Sequence, residues 1–62
     1  MWIRTQGGYL LNMDKVEYVR YSEDMNETLA YAEGAVHAIG YGNMLENVTG
    51  AIRCNVTILE VR

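Results

Sequence analysis

The pair Gly7-Gly8 constrains this chain most. It follows Trp2-Ile3-Arg4-Thr5-Gln6, a run with strand chemistry, and precedes the short apolar run Tyr9-Leu10-Leu11-Asn12. Glycine enters positive φ without a Cβ penalty, so two in succession between strand-like runs predict a tight hairpin turn. The chain is therefore expected to start a sheet at once, over residues 2–6 and 9–12, with no leader ahead of it. Asn12-Met13-Asp14-Lys15 has turn chemistry, because Asn and Asp side chains bond local backbone.

Val16-Glu17-Tyr18-Val19-Arg20-Tyr21 is the clearest strand, rich in β-branched and aromatic residues. Simple alternation puts Val16 and Tyr18 on one face and Val19 and Tyr21 on the other. A strand apolar on both faces predicts cover on both, one from the chain's own helix and one from a partner subunit. Ser22 to Glu27 is a polar loop, Thr28 to Ala32 a strand, Glu33-Gly34 a turn and Ala35 to Tyr41 a strand. On that last strand Ala35, His37, Ile39 and Tyr41 are expected on one face, with Val36, Ala38 and Gly40 on the other.

The C-terminal third carries two patterns. Asn43 and Glu46 have the spacing of a capping box, and Leu45, Val48, Ile52, Val56 and Leu59 fall on one helical face. Ile52, Cys54, Val56 and Ile58 also alternate as a strand would, and Gly50 weakens a long helix. The combined reading is a helix over about 44–54, followed by a strand or a frayed helix. The expected fold is α+β: one domain over 1–62, with an antiparallel sheet of four to five strands and one C-terminal helix.

Length limits what such a fold can bury. A chain of this mass exposes roughly 10,000 Å² unfolded and about 4,000 Å² folded. Burial then contributes on the order of 90 kcal/mol, and ordering the chain costs about the same. Half the residues are hydrophobic, so self-association as a homodimer or higher oligomer is expected to bury the surplus. Cys54 is the only cysteine, which excludes an intrachain disulfide framework; it is expected to pack as a small buried hydrophobe. No basic-then-apolar leader opens the chain and no apolar run approaches ~20 residues, so neither signal peptide nor membrane span is predicted. The expected location is cytoplasmic, and the three Asn-X-Thr triplets are read as coincidence. A formal net charge of −3 opposes binding to a nucleic-acid backbone and suits a basic partner.

Chemistry-bearing residues are sparse. His37 is the only histidine and Ser22 the only serine. No Cys/His pair has ligand spacing and no nucleophile elbow is present, so neither a metal site nor a catalytic triad is predicted, and no cofactor is implied. Gly40-Tyr41-Gly42-Asn43 leads into the helix, either as a phosphate-binding amide turn or as a plain strand-to-helix turn; it lacks the Gly-Lys-Ser/Thr end of a P-loop. Asp14 is a turn aspartate. It is also the one weak catalytic candidate, able to help hold a divalent ion if an oligomer gathers several copies. Glu23, Asp24 and Glu27 form an acidic loop, either solvated or engaging arginines of a partner.

The aromatic residues are Trp2 and five tyrosines, with no phenylalanine. Tyrosine suits half-exposed positions, where the ring packs and the hydroxyl stays wet. Interfaces are enriched in Tyr, Trp and Arg. The strand-borne set Trp2, Arg4, Tyr18, Arg20 and Tyr31 is therefore the first candidate binding surface, and the Glu23, Asp24, Glu27 loop the second. The same aromatic set also suits base stacking or simple packing on a small sheet.

The opening Met1-Trp2-Ile3-Arg4-Thr5-Gln6-Gly7 resembles short uncharacterised proteins of Firmicutes phages and mobile elements, which begin with a Trp-Ile-Arg-Ser/Thr-Gln motif. In those, several strands lead through a glycine-marked turn into one helix; Ile39-Gly40-Tyr41 and the Val48, Ala51, Ile52 spacing are similar. Gly50 and the β-rich tail depart from that pattern. The strand order also resembles the single-stranded-DNA-binding transcriptional coactivator fold, which some small phage anti-CRISPR proteins share. The resemblance implies a non-enzymatic protein that inhibits or sequesters a component of bacterial defence by binding a host protein or nucleotide ligand. Two alternatives stand beside it: a nucleic-acid module that binds single strands or nicks supercoiled DNA through Asp14, and a purely structural homo-oligomeric subunit.

Overall fold

Short strands need partners before they hold, and here each finds two neighbours or the edge of a three-stranded sheet. The computed structural model describes residues 1–62. Strands β1 (Trp2–Arg4) and β2 (Leu10–Asn12) form the expected hairpin. Its loop is three residues wide: Thr5 N–H donates to the Tyr9 carbonyl and Gly8 N–H to the Thr5 carbonyl. Only Gly8 takes positive φ, at 92°, the geometry of a type I turn closed by a left-handed residue. A 3₁₀ turn over Met13–Lys15 follows, with Asp14 N–H bonded to the Asn12 side chain.

Strands β3 (Val16–Ser22), β4 (Glu27–Ala32) and β5 (Ala35–Tyr41) form an antiparallel meander. Helix α1 (Leu45–Arg53) and strand β6 (Ile58–Glu60) complete the chain. β6 lies parallel to β1. The molecule is thus small and α+β, with six strands in two sheets of three, ordered β2-β1-β6 and β3-β4-β5. This corrects the single antiparallel sheet of four to five strands. The chain returns to its own start through α1, so the last strand meets β1 in parallel.

Ile3, Leu11, Ala30, Ile39, Val48 and Val61 form the core between the sheets and the helix. Folded, the chain exposes 4186 Å², as its mass requires. Two joints hold the sheets together and a third ties β4 to the turn into α1. Ile39 is an extra residue in β5, a bulge between the Ala38–Leu29 and Gly40–Thr28 pairs. Its carbonyl turns away from β4 and accepts Gln6 N–H, while Gln6 Oε1 accepts Tyr41 N–H, both at 2.8 Å. Gly40 then passes so close to Val61 that a Cβ there would sit 2.7 Å from its Cγ1. Thr28, wholly buried, donates its hydroxyl to the Gly42 carbonyl and accepts Met44 N–H, fixing the turn into α1.

Two bulges overturn the simple face assignments. Glu17 is an extra residue in β3, so Val16 pairs with Ala32 and Tyr18 with Tyr31. Val16 and Tyr18 therefore lie on opposite faces, with Val16 and Val19 against the core. The Ile39 bulge likewise buries Ile39 and Gly40 in succession. On α1 the buried residues are Val48 and Ala51, whereas Ile52 is exposed; the helix ends at Arg53, so Val56 and Leu59 never join its face. Cys54, expected buried, is exposed, because it follows the last helical turn and only its backbone N–H reaches back, to Gly50 and Ile52 carbonyls. No helix is long and apolar enough to cross a membrane.

Candidate functional site

The bulge at Glu17 decides what the β3-β4-β5 sheet shows to solvent. By turning Tyr18 outward it puts Tyr18 directly across from Tyr31, and the rings stack with centroids 4.3 Å apart and planes 14° from parallel. Arg20, two residues on, shares that face. Its Nε–H donates to the Tyr31 hydroxyl at 2.9 Å and its guanidinium lies 5.8 Å from the ring centroid. Leu29 pairs with Arg20 and Ala38 and is 5% exposed, so it forms a floor beneath these longer side chains. Val36, across from Tyr31, is 56% exposed and Tyr18 54%. Sheet β3-β4-β5 thus carries an open face with an aromatic pair, a cation and an apolar floor. Within the chain one face of this sheet packs against the core and the other is uncovered.

Of the five strand residues singled out from the sequence, Tyr18, Arg20 and Tyr31 come together. Trp2 and Arg4 do not join them on this face, for they sit on the other sheet. Arg4 donates through Nε to Glu60 Oε1 at 2.9 Å, an exposed pair that ties β1 to β6. Trp2 does share a groove of about 720 Å³ with the edge of β3, lined by Trp2, Val16, Tyr18, Val19, Ile52 and Val56 among others. Sequence reasoning missed this groove, Leu29 and Val36. One signal was available: the polar residues Glu17 and Arg20 are three apart, which breaks a period of two and marks an inserted residue.

Glu23 and Asp24 are exposed in the β3–β4 turn and Glu27, half-buried, opens β4. None of the three pairs with a cation. Asn26 takes φ 51° to close this turn, and Tyr21 donates its hydroxyl to the Asn26 side chain at 2.6 Å.

The remaining candidates have structural partners. Ser22 Oγ accepts Met25 N–H. It pairs with Glu27, while His37 pairs with Ala30, so Ser22 and His37 lie on opposite faces of the sheet. His37 Nδ1 is 3.4 Å from the Tyr9 hydroxyl. Asp14 is a highly exposed turn residue 3.8 Å from the Met1 amino group. No three His, Cys, Asp or Glu side chains are placed to share a metal ion. At the turn into α1, the amides of Gly42, Met44 and Leu45 bond Asn26, Thr28 and Asn43. Those three groups are engaged within the chain, as in a plain strand-to-helix turn. The N-cap residue is Met44, whose side chain makes no cap bond; Asn43, one residue earlier, accepts the Leu45 N–H through Oδ1 at 3.1 Å, and Glu46 makes no return bond.

No protein-family model, curated protein or solved structure matches the chain.

Proposed function

We propose that this chain is a non-enzymatic binding protein that engages its target through the open face of the β3-β4-β5 sheet. The observation that carries the reading is the Tyr18–Tyr31 stack held by Arg20. Two rings fixed against each other lose little side-chain freedom on binding, so their contact area converts into affinity with a small entropic cost. Arginine beside tyrosine is also the composition of interface hot spots. None of the clefts in the molecule is lined by Arg20, Leu29 or Tyr31, whereas small ligands need concave sites, so a protein surface suits this face better than a nucleotide. The acidic turn at Glu23 and Asp24 adjoins β3 and β4 and favours a basic partner.

The N-terminal Trp-Ile-Arg-Thr-Gln motif supplies the biological setting: a phage or mobile-element protein that blocks a component of bacterial defence. The test is phage plating on strains that each carry one active defence system, with this chain or its Tyr18→Ala/Tyr31→Ala variant expressed. Plating restored by the wild type and lost with the folded variant supports the reading. No restoration across CRISPR and non-CRISPR systems removes the anti-defence role.

A second reading draws on the same stack. Exposed tyrosines beside an arginine also stack unpaired bases. Titration with a labelled oligothymidine separates the two, since strand binding weakens steeply with salt. Incubation with supercoiled plasmid and Mg²⁺, beside an Asp14→Ala control, tests nicking directly.

A further inference from the structure

We infer that two copies of this chain pair through the free edge of β3, in antiparallel register about a two-fold axis at Val19. The inference stands on the edge itself and does not depend on the target proposed above.

The two edges of the β3-β4-β5 sheet differ. On β5, Gln6 caps the Ile39 carbonyl and the Tyr41 amide, and the Tyr9 ring lies against His37, centroids 6.0 Å apart. On β3 nothing comparable occurs. The direction of its free groups follows from the hairpins. Glu33 and Gly34 have φ 52° and 80°, so they form a two-residue primed turn closed by the hydrogen-bonded pair Ala32–Ala35. Alternation along β4 then sends Ala32 and Ala30 toward β5, and Tyr31, Leu29 and Glu27 toward β3. Their β3 partners are Tyr18, Arg20 and Ser22. Val19 and Tyr21 therefore point their N–H and C=O groups outward, and neither takes part in any backbone bond outside the regular elements. An edge of this kind is a template for another strand.

A second copy fits it because the edge is self-complementary, as an isologous contact must be. With the axis at Val19, the outward groups of Val19 meet those of the partner subunit's Val19. Tyr18 then stands opposite the partner subunit's Arg20, and Arg20 opposite the partner subunit's Tyr18. These are non-hydrogen-bonded pairs, where side chains approach most closely, and each sets a cation beside an exposed ring. Moving the axis by one residue puts Arg20 opposite its own copy, which like charges disfavour. On the other face of the strand, Val19 and Tyr21 of the second copy lie over the 720 Å³ groove that runs beside this edge between β3 and the end of α1. Pairing makes one six-stranded sheet, and the two Tyr18–Tyr31 stacks become a single continuous surface.

Sedimentation equilibrium of the full chain, with circular dichroism as the control for folding, tests the state. The expected mass is twice 7.0 kDa. Val19→Pro removes an outward N–H and no bond within the chain; losing two main-chain bonds per dimer raises the dissociation constant about ten- to a hundredfold. Register is read by cysteine pairing in a Cys54→Ser background. Tyr18→Cys and Arg20→Cys chains, mixed and oxidised, cross-link to each other, and this reading needs no proline. A monomer at every concentration overturns the inference. So does a dimer untouched by a folded Val19→Pro chain, or one in which Arg20→Cys chains cross-link among themselves while the mixed pair does not.

Discussion

The β2-β1-β6 sheet and the β3-β4-β5 sheet each have three strands, yet they are held by different forces. The first is built from strands of three residues, and its parallel pair joins the two ends of the chain. So few ladder bonds fix little by themselves; the sheet is held through Ile3, Leu11 and Val61, all inside the core. The second has strands of six and seven residues joined by local turns, so backbone pairing holds it with one face left open. A short chain can thus dedicate one sheet to closing the fold and leave a face of the other uncovered. Substitutions on the two sheets should accordingly differ in kind: those on the first unfold the chain, and those on the outer face of the second change what it binds.

The largest effect is expected at Ile3, which is wholly buried. Ile3→Ala should cost about 2–5 kcal/mol, a large share of the roughly 3–9 kcal/mol a domain this size holds. Urea denaturation checks it; a loss below about 1 kcal/mol would mean that the first sheet does not close the core. Next come the joints. Thr28→Val keeps the shape but orphans the Gly42 carbonyl and the Met44 amide, at about 1–3 kcal/mol. Gly40→Ala forces a Cβ against Val61 Cγ1, and overpacking of this kind costs about 1–3 kcal/mol. If that contact is the cause, Gly40→Ala should cost less in a Val61→Ala background, a coupling that a double-mutant cycle measures.

The second sheet was legible in the sequence because its information is local. Val16 to Tyr21, the Glu33-Gly34 turn and Ala35 to Tyr41 each carry strand or turn chemistry within a few residues, and each strand forms there. So does the helix, at 45–53 against an expected 44–54. The first sheet was only half legible. Its hairpin announces itself at Gly7-Gly8, and the alternation through Ile58 offered a strand or a frayed helix for the tail, where the strand forms at 58–60; nothing local marks its partner, which lies at the other end of the chain. The candidate site was legible by composition and not by arrangement. Tyrosine and arginine on strands marked Tyr18, Arg20 and Tyr31, yet their common face depends on the bulge at Glu17, and Trp2 and Arg4 share their chemistry while lying elsewhere. Cys54 shows the same limit, since a small apolar residue reads as core until the helix end is placed.

On the open face the predicted effect on stability is smaller. Tyr31→Ala removes the stack with Tyr18 and the acceptor of Arg20; a surface aromatic pair contributes about 0.5–1.5 kcal/mol beyond its area. The comparison sharpens if that variant stays folded by circular dichroism while losing the proposed anti-defence effect in the plating assay. It breaks if Tyr31→Ala unfolds the chain as Ile3→Ala does, because the second sheet would then also be closing the fold.

The smallest effect tests whether charge helps hold the short sheet. Arg4 and Glu60 pair across β1 and β6 at 2.9 Å, but both side chains are nearly half exposed. Water screens such a pair and ordering two long side chains opposes it, so Arg4→Ala should cost about 0–1 kcal/mol. Whatever it costs should shrink as salt rises, because the Debye length falls from about 10 Å at 0.1 M to about 3 Å at 1 M. Urea denaturation of wild type and variant at both salt concentrations reads the difference. A cost that persists at 1 M would come from the Arg4 stem packing on the sheet rather than from its charge. A cost as large as that of Ile3→Ala would overturn the assignment of this sheet to apolar burial, since an exposed ion pair would then be holding the parallel strands together.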